Sequence, residues 1–259
     1  MTDRIRLDGR VAVVTGAAGV IGTATMRLLA ERGARIVAVD RREPDLKTAI
    51  KDLPSQAEAL AVTADVTDED EVAGYVGAAV TRFGTIDAFY NNAGVEGEVK
   101  PITEYSLAAF RKVIDVNVIG VFLGMKHVLP VMLKQNTGSI INTASIAGLL
   151  GSPQIAAYSA SKHAVIGLTK SAAWECANTG VRVNCVCPGL IDSRMLTTIL
   201  QGRNPGNEPV SNEKIAERIP ARRFGQASEV ASIVAFLASD EASYVSGAAY
   251  TVDGGRTAA

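Results

Sequence analysis

Arg10-Val-Ala-Val-Val-Thr15 runs into Gly16-Ala-Ala-Gly-Val-Ile-Gly22 and then into a helical pattern around Met26, Leu28 and Leu29. This stretch decides the fold. An apolar run of strand length that breaks into glycines and opens a helix is the unit that binds a pyrophosphate. Glycine lets the backbone approach the phosphates, and the free N–H groups and positive end of the following helix attract their charge. A second apolar run, Ala34-Arg-Ile-Val-Ala-Val-Asp40, follows and ends in a carboxylate 24 residues after Gly16. A carboxylate there accepts hydrogen bonds from the adenosine ribose hydroxyls and repels a 2′-phosphate, so the expected cofactor is NAD. Arg41 and Arg42 come next and can soften that preference, or they are ordinary solvated loop residues.

The alternation of strand and helix continues. Strand Glu58–Val62 ends near Asp65, a helix spans Asp68–Arg82, and strand Ile86–Tyr90 enters Asn91-Asn-Ala-Gly94. A long helix from Leu107 to Gln135 contains Asn117 among apolar neighbours, with Gly120, Gly124 and Pro130 predicting bends. Strand Ser139–Thr143 leads to Ser145, a helix carrying Tyr158 runs to Thr179, and strand Val181–Val186 leads to Pro188-Gly189. Helix Ser228–Ala238 and a seventh strand, Ala248–Val252, complete the chain. Repeated βα units predict one α/β domain over residues 1–259, a Rossmann-type doubly wound parallel sheet of about seven strands with helices on both faces. Residues 190–220, punctuated by Pro205, Gly206 and Pro209, form the one long insertion, read as a substrate lid with a plain loop as the rival.

Composition excludes several classes of partner. Of 259 residues 47% are hydrophobic and 20% charged, and the formal net charge is −1, which favours neither nucleic acid nor an anionic membrane. No uninterrupted apolar run approaches the length of a membrane span, and the first residues lack the apolar core of a signal peptide; a cytoplasmic location is expected. Cys176, Cys185 and Cys187 lack the spacing of a disulfide framework or a zinc site and are read as core thiols, so no metal is expected.

Chemistry concentrates in Tyr158-Ser-Ala-Ser-Lys162. Four residues of separation put the phenol and the ammonium on one helix face, where the cation is expected to lower the phenol pKa toward useful base strength. Ser145, at the end of its strand in Ile141-Asn-Thr-Ala-Ser145, would supply a hydroxyl donor at the carboxyl edge of the sheet.

Taken together, Thr15-Gly-x-x-x-x-x-Gly22, Asp65, Asn91-Asn-Ala-Gly94, Asn117, Ser145, Tyr158-x-x-x-Lys162 and Pro188-Gly189 resemble the short-chain dehydrogenase/reductase family in order and spacing, from residue 7 to the end. The resemblance implies that Ser145 and Tyr158 polarise the substrate oxygen and Tyr158 transfers the proton. It implies that Lys162 holds the nicotinamide ribose and that Asn117 anchors a relay water. The cofactor site it implies comprises Gly16, Gly19, Val20, Ile21 and Gly22, with Asp40 and Arg41, then Asp65 and Val66 flanking the adenine. Asn91 would lie beside the adenosine ribose, with Ala93 and Gly94 following, and Pro188, Gly189, the Ile191 backbone and Ser193 would meet the nicotinamide side. A homotetramer, with the Asn117 and Tyr158 helices packing across subunits, is also implied.

One departure lies in the phosphate loop, where the family pattern has glycine and this chain has Val20. A β-branched residue tolerates positive φ badly, so Val20 is expected to be helical. A second departure, Thr143-Ala144 before Ser145 where many relatives have another serine, leaves the hydroxyl donor intact. Within the family the chain resembles levodione-reductase-like and other NAD-linked dehydrogenases of cyclic and secondary alcohols. Glu96, Ile146, Leu150, Gln154, Met195, Leu196 and Ile199 are the expected substrate pocket, mostly apolar. The reaction expected is reversible hydride transfer between NAD(H) and a secondary alcohol or ketone. The rivals are an NADPH-linked 3-oxoacyl-type ketoreductase and a non-catalytic dinucleotide-binding protein.

Overall fold

A computed structural model describes residues 5–203 and 211–258. One seven-stranded sheet forms its centre: β1 (Val11–Thr15), β2 (Arg35–Asp40), β3 (Ala59–Thr63), β4 (Ala88–Asn91), β5 (Gly138–Thr143), β6 (Val181–Pro188) and β7 (Ala249–Val252). Their order is β3-β2-β1-β4-β5-β6-β7, and every pairing is parallel. The expected α/β architecture is therefore present, with strand ends shifted by a few residues.

Nine helices connect the described strands: α1 (Val20–Glu31), α2 (Glu43–Lys51), α3 (Glu69–Phe83), α4 (Leu107–Ile114), α5 (Gly120–Gln135), α6 (Ala156–Glu175), α7 (Arg194–Arg203), α8 (Asn212–Ala216) and α9 (Ala227–Ala238). The central strands are near-continuous apolar runs because both faces are covered. Val11, Val13, Val37, Val39, Phe89 and Ile140 pack with residues of α3, α5 and α6, whereas Ala12, Val14, Ile36, Tyr90 and Ile141 pack with α1 and α9. Alternation along each strand thus builds two cores from one sheet. The three cysteines lie buried in the first of them.

The stretch Leu107–Gln135 is more broken than its apolarity predicts. A π-helical turn, Asp115–Ile119, separates α4 from α5. By length and hydropathy the whole stretch could cross a bilayer, its most apolar window averaging 1.7. Its apolar residues have another use, since Val121, Leu123, Val128 and Met132 are buried against the sheet. Helix α2 had no clear sequence signature, because it buries only Leu46 and Ala49 and so carries little apolar periodicity. Within the expected lid lie two short helices, α7 and α8, while Pro205, Gly206 and Pro209 lie outside the described residues.

The strand order reverses between β1 and β4. Loops leaving those two strands diverge and open a crevice at their carboxyl ends, which is where open α/β sheets bind ligands.

Candidate active site

The glycine loop is built for a close backbone approach. Gly16 has φ 62°, and a Cβ there would stand 2.9 Å from the Ala93 Cα. At Gly22 a Cβ would stand 2.2 Å from the Gly16 carbonyl oxygen, so a side chain is excluded. Val20 opens α1 and is not among the positive-φ residues, which disposes of the strain its β-branch threatened. The Gly19 N-cap offers no side-chain hydrogen bond, so the first turn of α1 keeps N–H groups for an anion.

Thr15 and Asn92 lock this loop to β4. The Thr15 Oγ1 accepts from the backbone N–H groups of Asn92 (2.9 Å) and Ala93 (3.1 Å), and the Asn92 amide donates to the carbonyls of Thr15 and Gly16. Asn92 lines the cavity, a role that sequence reasoning missed, although the Asn-Asn pair at a strand end was its signal. Its neighbour Asn91 points elsewhere: the amide donates to the Val121 carbonyl at 2.9 Å and is buried. Only the Asn91 main chain is left to meet a ribose.

Asp40 ends β2, and its carboxylate accepts from the backbone N–H groups of Ala18 (3.1 Å) and Arg42 (3.2 Å). It therefore tethers the glycine loop to the end of β2. Arg42 pairs with Asp45 at 2.8 Å, leaving Arg41 as the exposed cation beside Asp40. Asp65 accepts from both the N–H and the hydroxyl of Thr67, and the adjoining Val66 is buried, close to Gly120. These features together fit a dinucleotide.

Ser145, Tyr158 and Lys162 converge on a cavity of about 220 Å³ at the carboxyl edge of the sheet. All three are buried, Lys162 being only 2% exposed. The Lys162 ammonium donates to the Thr143 carbonyl at 2.7 Å and lies 5.6 Å from the centre of the Tyr158 ring. Burial pushes the Tyr158 phenol up to about 12, opposed by a hydrogen bond from Ser145 and reinforced by the charge of Glu96. The expected lowering by Lys162 is not what this arrangement produces, because the ammonium is turned to Thr143 and desolvation outweighs it. Burial brings Lys162 itself down to about 8.

Asn117 reaches this site through the π-helical turn. Its Oδ1 accepts from the Val95 N–H at 2.8 Å, while its Nδ2 donates to the Val95 carbonyl (2.9 Å) and to Ser161 Oγ (3.0 Å). Ser161 in turn donates to the Tyr158 carbonyl at 2.7 Å. A widened turn, often found at functional sites, thus ties the loop after β4 to the tyrosine helix. Gly94 fits between them, since a Cβ there would stand 3.2 Å from Asn117 Oδ1.

Ile21, Gly94, Pro188, Gly189, Ile191 and Ser193 also line the cavity, as do Ile146, Leu150, Met195, Leu196 and Ile199. Glu96 and Gln154 do not. Glu96 is 7% exposed and accepts from Arg194 at 2.9 Å; Gln154 is held at φ 66° with its carbonyl bound to the Lys100 N–H. Neither position had a periodicity that would reveal this. Arg203 and Arg256 line the cavity too, and nothing local in the sequence marked them.

A family model described as Enoyl-(Acyl carrier protein) reductase matches residues 16–257. Levodione reductase from Leifsonia aquatica is 40% identical over 98% of this chain and 96% of its own length. Cis-4-hydroxycyclohexanecarboxylate dehydrogenase from Sinomonas cyclohexanicum is 44% identical over 96% of this chain and 97% of its own. The crystal structure of levodione reductase matches with a TM-score of 0.94 at 40% identity, covering 98% of this chain and 100% of that one. An NAD+-bound xylitol dehydrogenase (37% identity, 96% and 99% covered) and a polyketide ketoreductase with NADPH (38%, 95% and 97%) each match at 0.91. Family, fold and the oxidoreductase class agree with the motif reading, and both nicotinamide cofactors occur among the neighbours. The chain belongs to the short-chain dehydrogenase/reductase family of oxidoreductases.

Proposed function

We propose that this protein is an NAD(H)-dependent oxidoreductase that interconverts a secondary alcohol and its ketone through Ser145, Tyr158, Lys162 and Asn117. The observation that carries the reading is the convergence of a serine hydroxyl, a phenol and an ammonium on one cavity beside the glycine loop. When bound, the oxidised nicotinamide supplies the hydride acceptor and a positive charge that favours an anion nearby. In alcohol oxidation the ionised Tyr158 Oη takes the hydroxyl proton while Ser145 Oγ holds the same oxygen; in reduction the phenol returns it. Lys162, lifted from Thr143 or shared with it, orients the ribose and stabilises the phenolate. Asn117 spends its amide on Val95 and Ser161, so a relay water at this position would have to be held by main chain.

Asp40 supports NAD over NADP by repulsion of a 2′-phosphate. Helix α7, with Met195, Leu196 and Ile199 on the cavity, is read as part of a lid in a single domain over residues 1–259. Exposed Leu107, Ile119 and Phe122 in the α4–α5 segment and Trp174 on α6, the last 83% exposed, support a homotetramer that packs these helices across subunits. The test is to incubate the purified protein with NAD or NADP and a panel of secondary alcohols, following absorbance of the reduced nicotinamide. Turnover with NAD is expected; a clear preference for NADP overturns the role of Asp40, and no turnover with either would leave a dinucleotide-binding protein.

A further inference from the structure

Two arginines line the cavity on which Tyr158 lies. Arg203 closes α7, about 14 Å along the helix axis from Arg194, and Arg256 follows the turn made by Gly254 (φ 64°) and Gly255 (φ 85°). They reach one cavity from positions 53 residues apart, among Leu150, Met195, Ile199 and Leu200. An apolar substrate gives no reason to draw two cations together there, since desolvating each is costly and their charges repel.

The Arg203 fork is fixed: its Nη2 donates to Ser152 Oγ at 2.7 Å and to the Pro153 carbonyl. Its Nε is buried without a hydrogen-bond partner. Burial and the nearby Arg256 charge both hold Arg203 below the ordinary arginine range. Among the described residues no carboxylate lies within ion-pair distance of Arg203 or Arg256. Glu96, the buried carboxylate beside the site, is already paired with Arg194.

We propose that Arg203 and Arg256 form a subsite for an anionic group, a carboxylate, borne by the substrate across a ring or short chain from its carbinol carbon. This rests on the reading of the site as a secondary-alcohol dehydrogenase. The carboxylate would offset the repulsion within the pair through charge-assisted hydrogen bonds, while the apolar walls take the carbon frame.

The probes are 4-hydroxycyclohexanecarboxylate, its carboxamide and cyclohexanol, assayed at saturating NAD. The carboxylate should exceed the carboxamide in kcat/KM by about 10-fold or more, the worth of one charge-assisted hydrogen bond. Arg203→Gln and Arg256→Gln should each cut that ratio severalfold, and Arg203→Lys, which keeps the charge, should retain most of it. A wild-type ratio near one, with neutral alcohols oxidised, overturns the subsite and leaves the dehydrogenase reading standing. Failure to oxidise these probes and every other secondary alcohol overturns both. If the glutamine variants raise the KM for NAD while the ratio holds, the arginines serve the cofactor phosphates and the subsite is overturned.

Discussion

Replacing Lys162 with methionine should leave the protein at least as stable at pH 7 while destroying turnover. The ammonium is 2% exposed, and burial brings its pKa from 10.5 to about 8, a gap that corresponds to roughly 3 kcal/mol of unfavourable burial of the charged form. Methionine removes that cost at similar length but leaves the Thr143 carbonyl, now bonded at 2.7 Å, without its donor, which costs about 1–3 kcal/mol. The net is a change of roughly 0–2 kcal/mol in favour of the variant, or up to several degrees in Tm for a chain of this size.

The pH dependence separates this from a general packing effect. Between pH 8 and 10.5 the unfolded lysine binds more protons than the folded one, so wild-type stability gains from this group as pH rises through that window. Below pH 8 both states hold the proton and the full cost remains. The variant lacks this gain, so the difference between the two proteins should narrow or reverse from pH 7 to 10. Thermal or urea unfolding of both across that range is the assay; parallel curves, or a variant less stable by more than about 3 kcal/mol at pH 7, would refute the reasoning.

Asp40→Ser should weaken NAD by about 10- to 150-fold in kcat/KM, the worth of a charge-assisted hydrogen bond, and also free the Ala18 N–H that Asp40 now accepts. An unchanged NAD-to-NADP ratio would place selectivity elsewhere. Asn117→Ala should lower stability by about 1–3 kcal/mol, because the half-buried Val95 N–H and carbonyl both lose their partner. Urea unfolding with an unchanged slope would show it, and a neutral result would mean that the π-helical turn does not depend on those bonds.

The fold was legible because its signals are local. Valine runs of strand length, glycine at sterically closed positions such as Gly22 and the carboxylate ending β2 each carry their meaning within a few residues. Helix α2 escaped because Leu46 and Ala49 are its only buried residues. The π-helical turn escaped because no local pattern marks it, and the Asn117 amide it carries meets Val95 across 22 residues. The site divides in the same way. Tyr158 and Lys162 share a helix face by spacing alone, whereas Arg203 and Arg256 share a cavity only after the sheet has formed. The phenol pKa was the clearest overreach: spacing predicted the pairing with Lys162, but not that burial would dominate or that Thr143 would hold the ammonium.

The central claim is that Tyr158 moves the proton, and it is tested most directly by Tyr158→Phe, measured for alcohol oxidation with NAD and for NAD binding by calorimetry. Turnover should fall by roughly 10²–10⁴-fold while NAD still binds and the fold is retained, since the substitution removes only the hydroxyl and keeps the buried ring in place. Wild-type rates in the variant would contradict the account.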